Sequence, residues 1–291
     1  MTARRSRFSG HQTFPFRYGW LEKGYCHASE HRKFSDADAL VHLGVGKNMV
    51  ESIRYWCTVF ELIEGEGVSN FADALLSPEF GWDPYLEDDA SLWLLHWKLC
   101  SQSSFMTAAT LLFGEMHKPE FDREEWRELL QKRDAQSEGR ATSRPTLERD
   151  MDCCLAMYIP PKPSPKKRVL ELSYACPFQE LGLLSTVEGG NRLRFSIGFK
   201  AGLPPEIVGY AVWEYLRGRQ RDNARLSELL YGDYAPGQVF MLDENSLVEA
   251  VTFLQQTEGY FDLSASEGIE TVHCRVDDGK TLLNVYYQSG K

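Results

Sequence analysis

The hydrophobic positions of residues 34–60 predict two helices joined by a glycine turn. The segment FSDADALVHLG has the spacing of an amphipathic helix, with Ser35 as its candidate N-cap. Its predicted buried side carries Ala39, Leu40 and Leu43. After the turn GVG, apolar residues recur at helical spacing at Met49, Val50, Ile53, Trp56, Val59 and Phe60. The predicted outward face then carries Lys47, Asn48, Glu51, Ser52, Arg54 and Tyr55.

The turn LGVGKN fits more than one function. A phosphate-binding loop needs a glycine five positions before the Gly-Lys pair and a hydroxyl residue after it, but Val41 and Asn48 occupy these positions. A helix-turn-helix suits the residues better, because Lys47 and Asn48 at the start of the second helix can reach base edges and phosphates in a major groove. An ordinary helical hairpin with a solvated polar face fits the same pattern.

Further along the chain, periodicity predicts both helices and short strands. Helices are predicted in ASLWLLHWKLCSQ, MTAATLLFGEMH, PPEIVGYAVWEYLRGR and DENSLVEAVTFLQQTEG, the last of which ends at a glycine. RLRFSIGF alternates like a strand, and YFDLSASEGIETVHCRV predicts two strands around a Glu-Gly turn. A helix followed by a hairpin is the order found in a winged-helix module. The sequence itself shows no strong internal repeat.

These elements predict an α+β fold that is mainly α-helical. A polar break, AQSEGRATSRP, marks a turn between two helices near the junction of two domains. We predict an N-terminal winged-helix-like (helix-turn-helix) DNA-binding domain over residues 1–118. A C-terminal, mainly helical domain with short strands and a β-hairpin is predicted over residues 119–291.

Composition limits the partners of this folded chain. Its 291 residues are 43% hydrophobic and carry a net charge of -10, which opposes indiscriminate binding to nucleic acid. DNA contact therefore requires local basic patches. Three exist, although each taken singly also fits a solvated surface: Arg4, Arg5 and Arg7; Lys162, Lys166, Lys167 and Arg168; Arg217, Arg219, Arg221 and Arg225.

The cysteines and the apolar runs indicate a cytoplasmic protein without a membrane span. Seven cysteines at irregular positions fit reduced thiols better than a disulfide framework, and their spacing does not suggest a structural zinc site. No apolar run has the length of a membrane span, and the Arg-rich start lacks the apolar stretch of a secretory signal.

The segment FSGHQTFPFRYGW combines polar and aromatic residues too densely for a plain linker. In a functional interpretation Arg17 meets a phosphate and His11 acts as an acid or base. In a structural interpretation the aromatic residues plug the core, while His11 and Gln12 bond backbone groups. The chemistry of the residues leaves both interpretations open.

A second segment, GWDPYLEDDASLWLLHWKL, gathers carboxylates before a helix. Asp83 and Glu87 are candidate ligands for magnesium, which positions water for phosphodiester cleavage. Acidic residues at a helix N-terminus are also favoured by the helix dipole, and His96 lies in an apolar run that suits a buried core histidine. The structural interpretation is the stronger one here.

Four motifs together resemble a known family: FSGHQTFPFRYGWL, LGVGKNMVESIRYW, DPYLEDDASLWLLHWKL and PGQVFMLDENSLVE. They resemble a bacterial family of formerly unknown function that is encoded with DNA phosphorothioation genes. The resemblance implies work alongside a cysteine desulfurase, an ATPase and an ATP-pyrophosphatase-like sulfur-transfer protein, which replace a non-bridging phosphate oxygen by sulfur. It implies that this chain binds and nicks double-stranded DNA, and that LGVGKNMVESIRYW is the DNA-facing part of a winged helix.

The resemblance sets the candidate DNA contacts and two competing functions. The candidate contacts are Lys47, Asn48, Ser52, Arg54, Arg4, Arg5 and Arg7. In the first function the chain is a magnesium-dependent nickase, with His11 and Arg17 as catalytic candidates. In the second it is a non-catalytic adaptor that recruits the sulfur-transfer proteins. A homodimer is one possible assembly. One departure from the family is EGEGVSNF, a short acidic segment where family members commonly carry a longer basic one.

Overall fold

Helices make up most of the fold, and small antiparallel sheets separate them. The structure is a computed structural model that describes residues 6–100, 105–137, 141–161, 175–187 and 192–289. The helices are α1 (Trp20–Ser29), α2 (Ala39–Leu43), α3 (Lys47–Val59), α4 (Asn70–Leu76), α5 (Asp89–Cys100), α6 (Thr107–Glu115), α7 (Arg123–Ala135), α8 (Arg144–Tyr158), α9 (Pro205–Arg217), α10 (Leu226–Tyr231), α11 (Pro236–Phe240), α12 (Glu244–Glu258) and α13 (Lys280–Ser289), with a 3-10 helix at Pro177–Leu181. The strands are β1 (Ile63–Glu64), β2 (Gly67–Val68), β3 (Glu120–Asp122), β4 (Leu184–Thr186), β5 (Arg192–Phe195), β6 (Asn223–Arg225), β7 (Phe261–Ser266) and β8 (Ile269–Cys274). The predicted α+β, mainly helical class is confirmed.

The N-terminal group consists of α1, α2 and α3, followed by the β1–β2 hairpin. The three helices pack against one another, and α1 also contacts β2. Gly44 ends α2 at φ 66°, a left-handed conformation that glycine adopts at little cost. The first predicted helix is shorter than expected, because residues 34–38 form turns and Asp38, not Ser35, holds the N-cap position. Leu40 is 40% exposed, so its predicted burial is wrong.

The middle group runs in the order α6, β3, α7, α8, β4 and β5. Its strands pair in the order β3-β5-β4, so the strand between the first two helices joins the hairpin that follows the third helix. Helix α6 packs against both α7 and α8. A capping box of Asp122 and Glu125 begins α7, since each side chain accepts the other residue's backbone N–H at 2.9 Å.

The C-terminal group repeats this arrangement. Helix α9 precedes β6, α10 and the short α11 follow it, and α12 leads into the β7–β8 hairpin. The strands pair in the order β6-β8-β7, and α12 packs against α9 and β7. Both groups therefore have the strand order of a winged-helix module. The repeat lies in the order of elements and not in residue identity, which explains why the sequence shows none.

Several predicted elements are confirmed by these bounds. The strand RLRF, the helix after the prolines and the helix that ends at Gly259 all form, and the last hairpin turns at Glu267 and Gly268. The polar break lies between α7 and α8, although its residues 138–140 lie outside the described residues. The predicted boundary after residue 118 falls between α6 and β3, within the middle group, and stays a prediction.

The core continues from one group to the next through aromatic side chains around His96. This ring contacts Phe113 of α6, Tyr158 of α8 and Phe240 of α11. His96 is fully buried, as the structural interpretation predicted. None of the helices in the described ranges is long and apolar enough to cross a membrane.

Candidate nucleic-acid interface

The outward face of α3 is the candidate interface, and its polar residues are solvent-exposed as predicted at Lys47, Asn48, Glu51 and Arg54. The opposite face packs into the core through Val50, Ile53 and Trp56, which fixes the direction of the exposed face. Gly46 precedes the helix in an extended conformation without a side-chain cap. The first-turn backbone N–H groups beside Lys47 therefore form a local positive end that suits an anion.

Two residues predicted to face outward do not, since Tyr55 is half-buried against the core and Ser52 is covered completely. Ser52 is fully buried, and its Oγ donates a hydrogen bond to the backbone carbonyl of His11 at 3.1 Å. It cannot touch DNA from this position, so its predicted role as a DNA contact is wrong. The helical spacing placed Ser52 at the edge of the polar face, and the segment that covers this edge is remote in sequence.

Arg54 already has an acidic neighbour. Its guanidinium lies 3.4 Å from the carboxylate of Glu66, at the turn between β1 and β2. Both side chains are about half exposed, so the pair contributes little to stability. It does mean that the short hairpin offers a negative charge next to the cationic helix face.

The N-terminal segment lies between α3 and α8, and His11 is its central residue. The ring is 1% exposed and stacks on Trp56 of α3 with ring centroids 6.3 Å apart. Its Nε2 is hydrogen-bonded to Asp150 of α8, and Nδ1 accepts the backbone N–H of Thr13 at 3.0 Å. Both ring nitrogens are thus engaged within the protein, which gives His11 the geometry of a structural residue; its catalytic role stays a prediction.

Asp150, the hydrogen-bond partner of His11, also binds a backbone group of the N-terminal segment. Asp150 is 2% exposed and also accepts the backbone N–H of Ser9, at 3.0 and 3.1 Å from its two oxygens. Beside it, burial raises the pKa of the Tyr55 phenol well above its usual value, and the Asp150 carboxylate adds to this shift. The ring of Tyr55 lies so close to Gly10 that a Cβ there would come within 2.2 Å of it.

The predicted arginines of the N-terminal segment occupy separate positions. Arg17 is half-buried and lies over the rings of Phe14 and Trp20, at 5.4 and 5.1 Å from their centroids. Arg7 is exposed and stacks on Phe105 at 3.7 Å. Arg4 and Arg5 lie outside the described residues, as does the basic cluster of Lys162, Lys166, Lys167 and Arg168.

The predicted magnesium ligands do not form a ready site. Asp83 is 7% exposed, and its two oxygens accept the backbone N–H groups of Glu87 and Asp88, each at 3.0 Å. Within the described ranges, no group of three or more His, Cys, Asp and Glu side chains is arranged to hold a metal ion. Glu87 is exposed, but Asp83 already uses its oxygens to hold the loop before α5. Magnesium usually keeps several waters and needs only one or two carboxylates, so binding at Asp83 and Glu87 stays a prediction.

Sequence reasoning missed two features of this region. The pairing of Asp150 with His11 could not be predicted, because Asp150 is one of several acids in a charged stretch and lies 139 residues from His11. The exposed arginines of α8, Arg144 and Arg149, also went unnoticed within the polar break and its flank. Arg144 pairs with Glu148 at 2.8 Å, whereas Arg149 donates to the Pro145 carbonyl and the Thr146 hydroxyl at 3.2 Å.

The protein is mainly helical, two of its groups each have a sheet in which the last strand lies in the middle, and a third group exposes cationic residues on α3. The chain belongs to the family described as Protein of unknown function (DUF4007), whose model matches residues 8–287. A "Magnesium ion-bound SspB crystal structure" is similar at a TM-score of 0.86 and 28% sequence identity, covering 98% of this chain and 89% of that one. An "SspB crystal structure" is similar at a TM-score of 0.85 and 29% identity, with the same coverage. These structures confirm the resemblance of the four motifs to the family of SspB. No curated protein matches the chain.

Proposed function

We propose that this chain binds double-stranded DNA as a cytoplasmic component of a bacterial DNA phosphorothioation system. The observation that carries the proposal is the exposed face of α3, where Lys47, Asn48 and Arg54 follow a glycine turn in a chain of net charge -10. The similarity to SspB supports the system, and the family resemblance implies the sulfur-transfer partners. These are the cysteine desulfurase, the ATPase and the ATP-pyrophosphatase-like protein.

The proposed binding mode places α3 in a major groove, as the recognition helix of a winged helix. Lys47 then meets a phosphate near the N-terminus of the helix, and the amide of Asn48 can pair with a base edge. The β1–β2 hairpin takes the position of the wing but adds an acid, so we assign it no attraction for DNA. The groove contact rests on α3 alone in this proposal.

We expect Lys47→Ala to weaken duplex binding and to reduce the slope of log K against log salt by about one. Arg54→Ala should weaken binding and reduce the slope by smaller amounts, because Glu66 already offsets part of the charge of Arg54. Glu66→Gln should strengthen binding, since it removes a carboxylate that competes with phosphate for Arg54. A fluorescence anisotropy titration over a range of salt concentrations measures all three.

The matched control is Lys280→Ala, which removes another exposed lysine, at the start of α13. It should change the salt slope less than Lys47→Ala does. Equal slopes for the wild-type chain and the Lys47 and Arg54 variants would remove the support for α3 as the DNA-contacting helix.

A second candidate function is nicking of the bound duplex, and the magnesium-bound state of the similar SspB structure favours it. Supercoiled plasmid incubated with the purified chain distinguishes the two functions. Open circles that form with magnesium and not with EDTA would assign nicking to this chain. Duplex binding without open circles under either condition would leave it a non-catalytic adaptor.

A further inference from the structure

A cleft of about 1000 Å³ lies between the C-terminal group and residues 82–89, and none of its lining residues belongs to α3. Its walls are the start of α5, the loop of residues 199–205, one side of α12 and Tyr286 of α13. Tyr286 donates its hydroxyl to Asp88 at 3.0 Å and so joins two of these walls. The cleft is thus framed by elements that are bonded to one another.

The accessible charge of the cleft is negative. Glu87, Asp89 and Glu249 line it with exposed side chains, and no ion pair with another described residue involves any of the three. One lysine, Lys200, also lines it but is only 9% exposed. Its ammonium donates to the backbone carbonyls of three residues, Ser196, Gly198 and Met241, at 2.7 to 3.1 Å. Lys200 therefore holds the loop and does not neutralise the acids.

Two phenyl rings stand exposed at the same cleft. Phe199 is 72% exposed and Phe253 is 44% exposed. Phe199 is held in place, because Gly198 donates its N–H to the carbonyl of Met241 at 2.9 Å and Lys200 is anchored on its other side. A large apolar side chain kept in water by a fixed loop marks a surface built for contact.

The exposed face of α12 is acidic, whereas that of α3 in the N-terminal group is cationic. In the same position as α3, between the preceding helices and a hairpin, α12 exposes Glu244, Glu249 and Glu258. Phosphate would be repelled from such a face. The cleft also lacks a metal site within the described residues. The ligand that best matches the cleft is therefore an organic cation with an apolar part that can contact the two phenyl rings.

We infer that this cleft docks an arginine-bearing peptide segment of a protein partner. A guanidinium can pair with Asp89 or Glu249 and at the same time stack on the ring of Phe199 or Phe253, whereas an ammonium pairs without stacking well. This surface is independent of the DNA-binding face, so the chain can hold DNA through α3 and a basic partner through the cleft.

The test uses the full chain and short fluorescein-labelled peptides that alternate leucine with arginine, lysine or glutamate. Anisotropy should give the tightest binding for the arginine peptide, weaker binding for the lysine peptide and none for the glutamate peptide. Glu249→Lys should weaken the arginine peptide by about tenfold, because an attraction becomes a repulsion. Phe199→Ser should weaken it by about fivefold through loss of the stacking surface.

Glu258→Lys is the matched control, since it makes the same charge change on an exposed residue of α12 that does not line the cleft. It should alter peptide binding by less than about twofold. Lys47→Ala should leave peptide binding unchanged, so failure of the DNA proposal is separable from failure of this one. Absent peptide binding, or equal weakening by the two glutamate variants, would overturn the inference. So would a dimer in sedimentation that Glu249→Lys dissociates, because a second copy would then occupy the cleft.

Discussion

Replacing His11 by alanine should lower the free energy of unfolding by about 3–5 kcal/mol, the cost of leaving one partner of a buried polar pair uncompensated. The ring is buried between Trp56 and Asp150, and its removal leaves the Asp150 carboxylate, at 2% exposure, with the Ser9 N–H but without its side-chain partner. It also opens a cavity beside α3. Urea denaturation followed by tryptophan fluorescence measures the loss.

Gln12→Ala provides the neighbouring control. The Gln12 side chain donates to Glu51 at 2.8 Å at the exposed surface, so its loss should change stability by less than about 1 kcal/mol. In a double-mutant cycle, His11→Ala should cost much less when Asp150 is already alanine, because the two side chains share one interaction. A His11→Ala chain with normal stability but no nicking activity would reverse the assignment and make His11 catalytic.

Acidification should destabilise the protein through His96. Burial lowers the pKa of this histidine from 6.5 to about 4. Its Nε2–H donates to the carbonyl of Val239 at 2.9 Å, while Nδ1 accepts the hydroxyl of Tyr158 at 2.7 Å. Only the bond from Tyr158 requires the neutral ring, because a protonated ring still donates from Nε2 but cannot accept at Nδ1. The unfolded chain takes up a proton below pH 6.5 that the folded chain does not bind until about pH 4.

The stability contributed by the neutral ring is therefore present above pH 6.5 and falls as the pH decreases toward 4. Since one pKa unit corresponds to about 1.4 kcal/mol, the loss between pH 7 and pH 5 is roughly 2 kcal/mol. His96→Gln removes the titrating group. Protonation of carboxylates changes the stability of the wild-type chain and of the variant alike, so it cancels in the difference between them. Urea midpoints at several pH values should show the stability advantage of the wild-type chain shrinking on acidification. A constant difference between the two proteins would show that His96 does not titrate in this way.

The sequence predicted the position of α3 correctly, but it did not predict which residues at the edge of the polar face are buried. Lys47, Asn48 and Arg54 are exposed as predicted, because helical periodicity and one apolar face set the direction of each residue. Ser52 is buried because the carbonyl of His11 lies over it, and that contact spans 41 residues. Periodicity along one helix carries no information about a segment that folds back onto it.

Local chemistry also made some interpretations ambiguous that distant contacts resolve. The acids before α5 suit a helix N-terminus or a metal equally well, and the choice depends on where their oxygens point. Asp83 accepts hydrogen bonds from two backbone N–H groups of its own loop. This contact depends on the geometry of the turn, which the sequence pattern does not specify. The acidic cleft was unpredictable for a related reason, since Glu87, Phe199 and Glu249 come together only in the folded chain.

By itself the sequence determined most of the longer helices, the last hairpin, the cationic face of α3 and the family resemblance, because spacing, turn residues and motifs are local properties. The tertiary structure alone decided that His11 meets Asp150, that the strand order of a winged helix occurs twice, and that an acidic cleft forms beside α12. Each of these depends on residues far apart in the chain. Their proximity follows from how the helices and strands pack, and packing is set by the whole buried core.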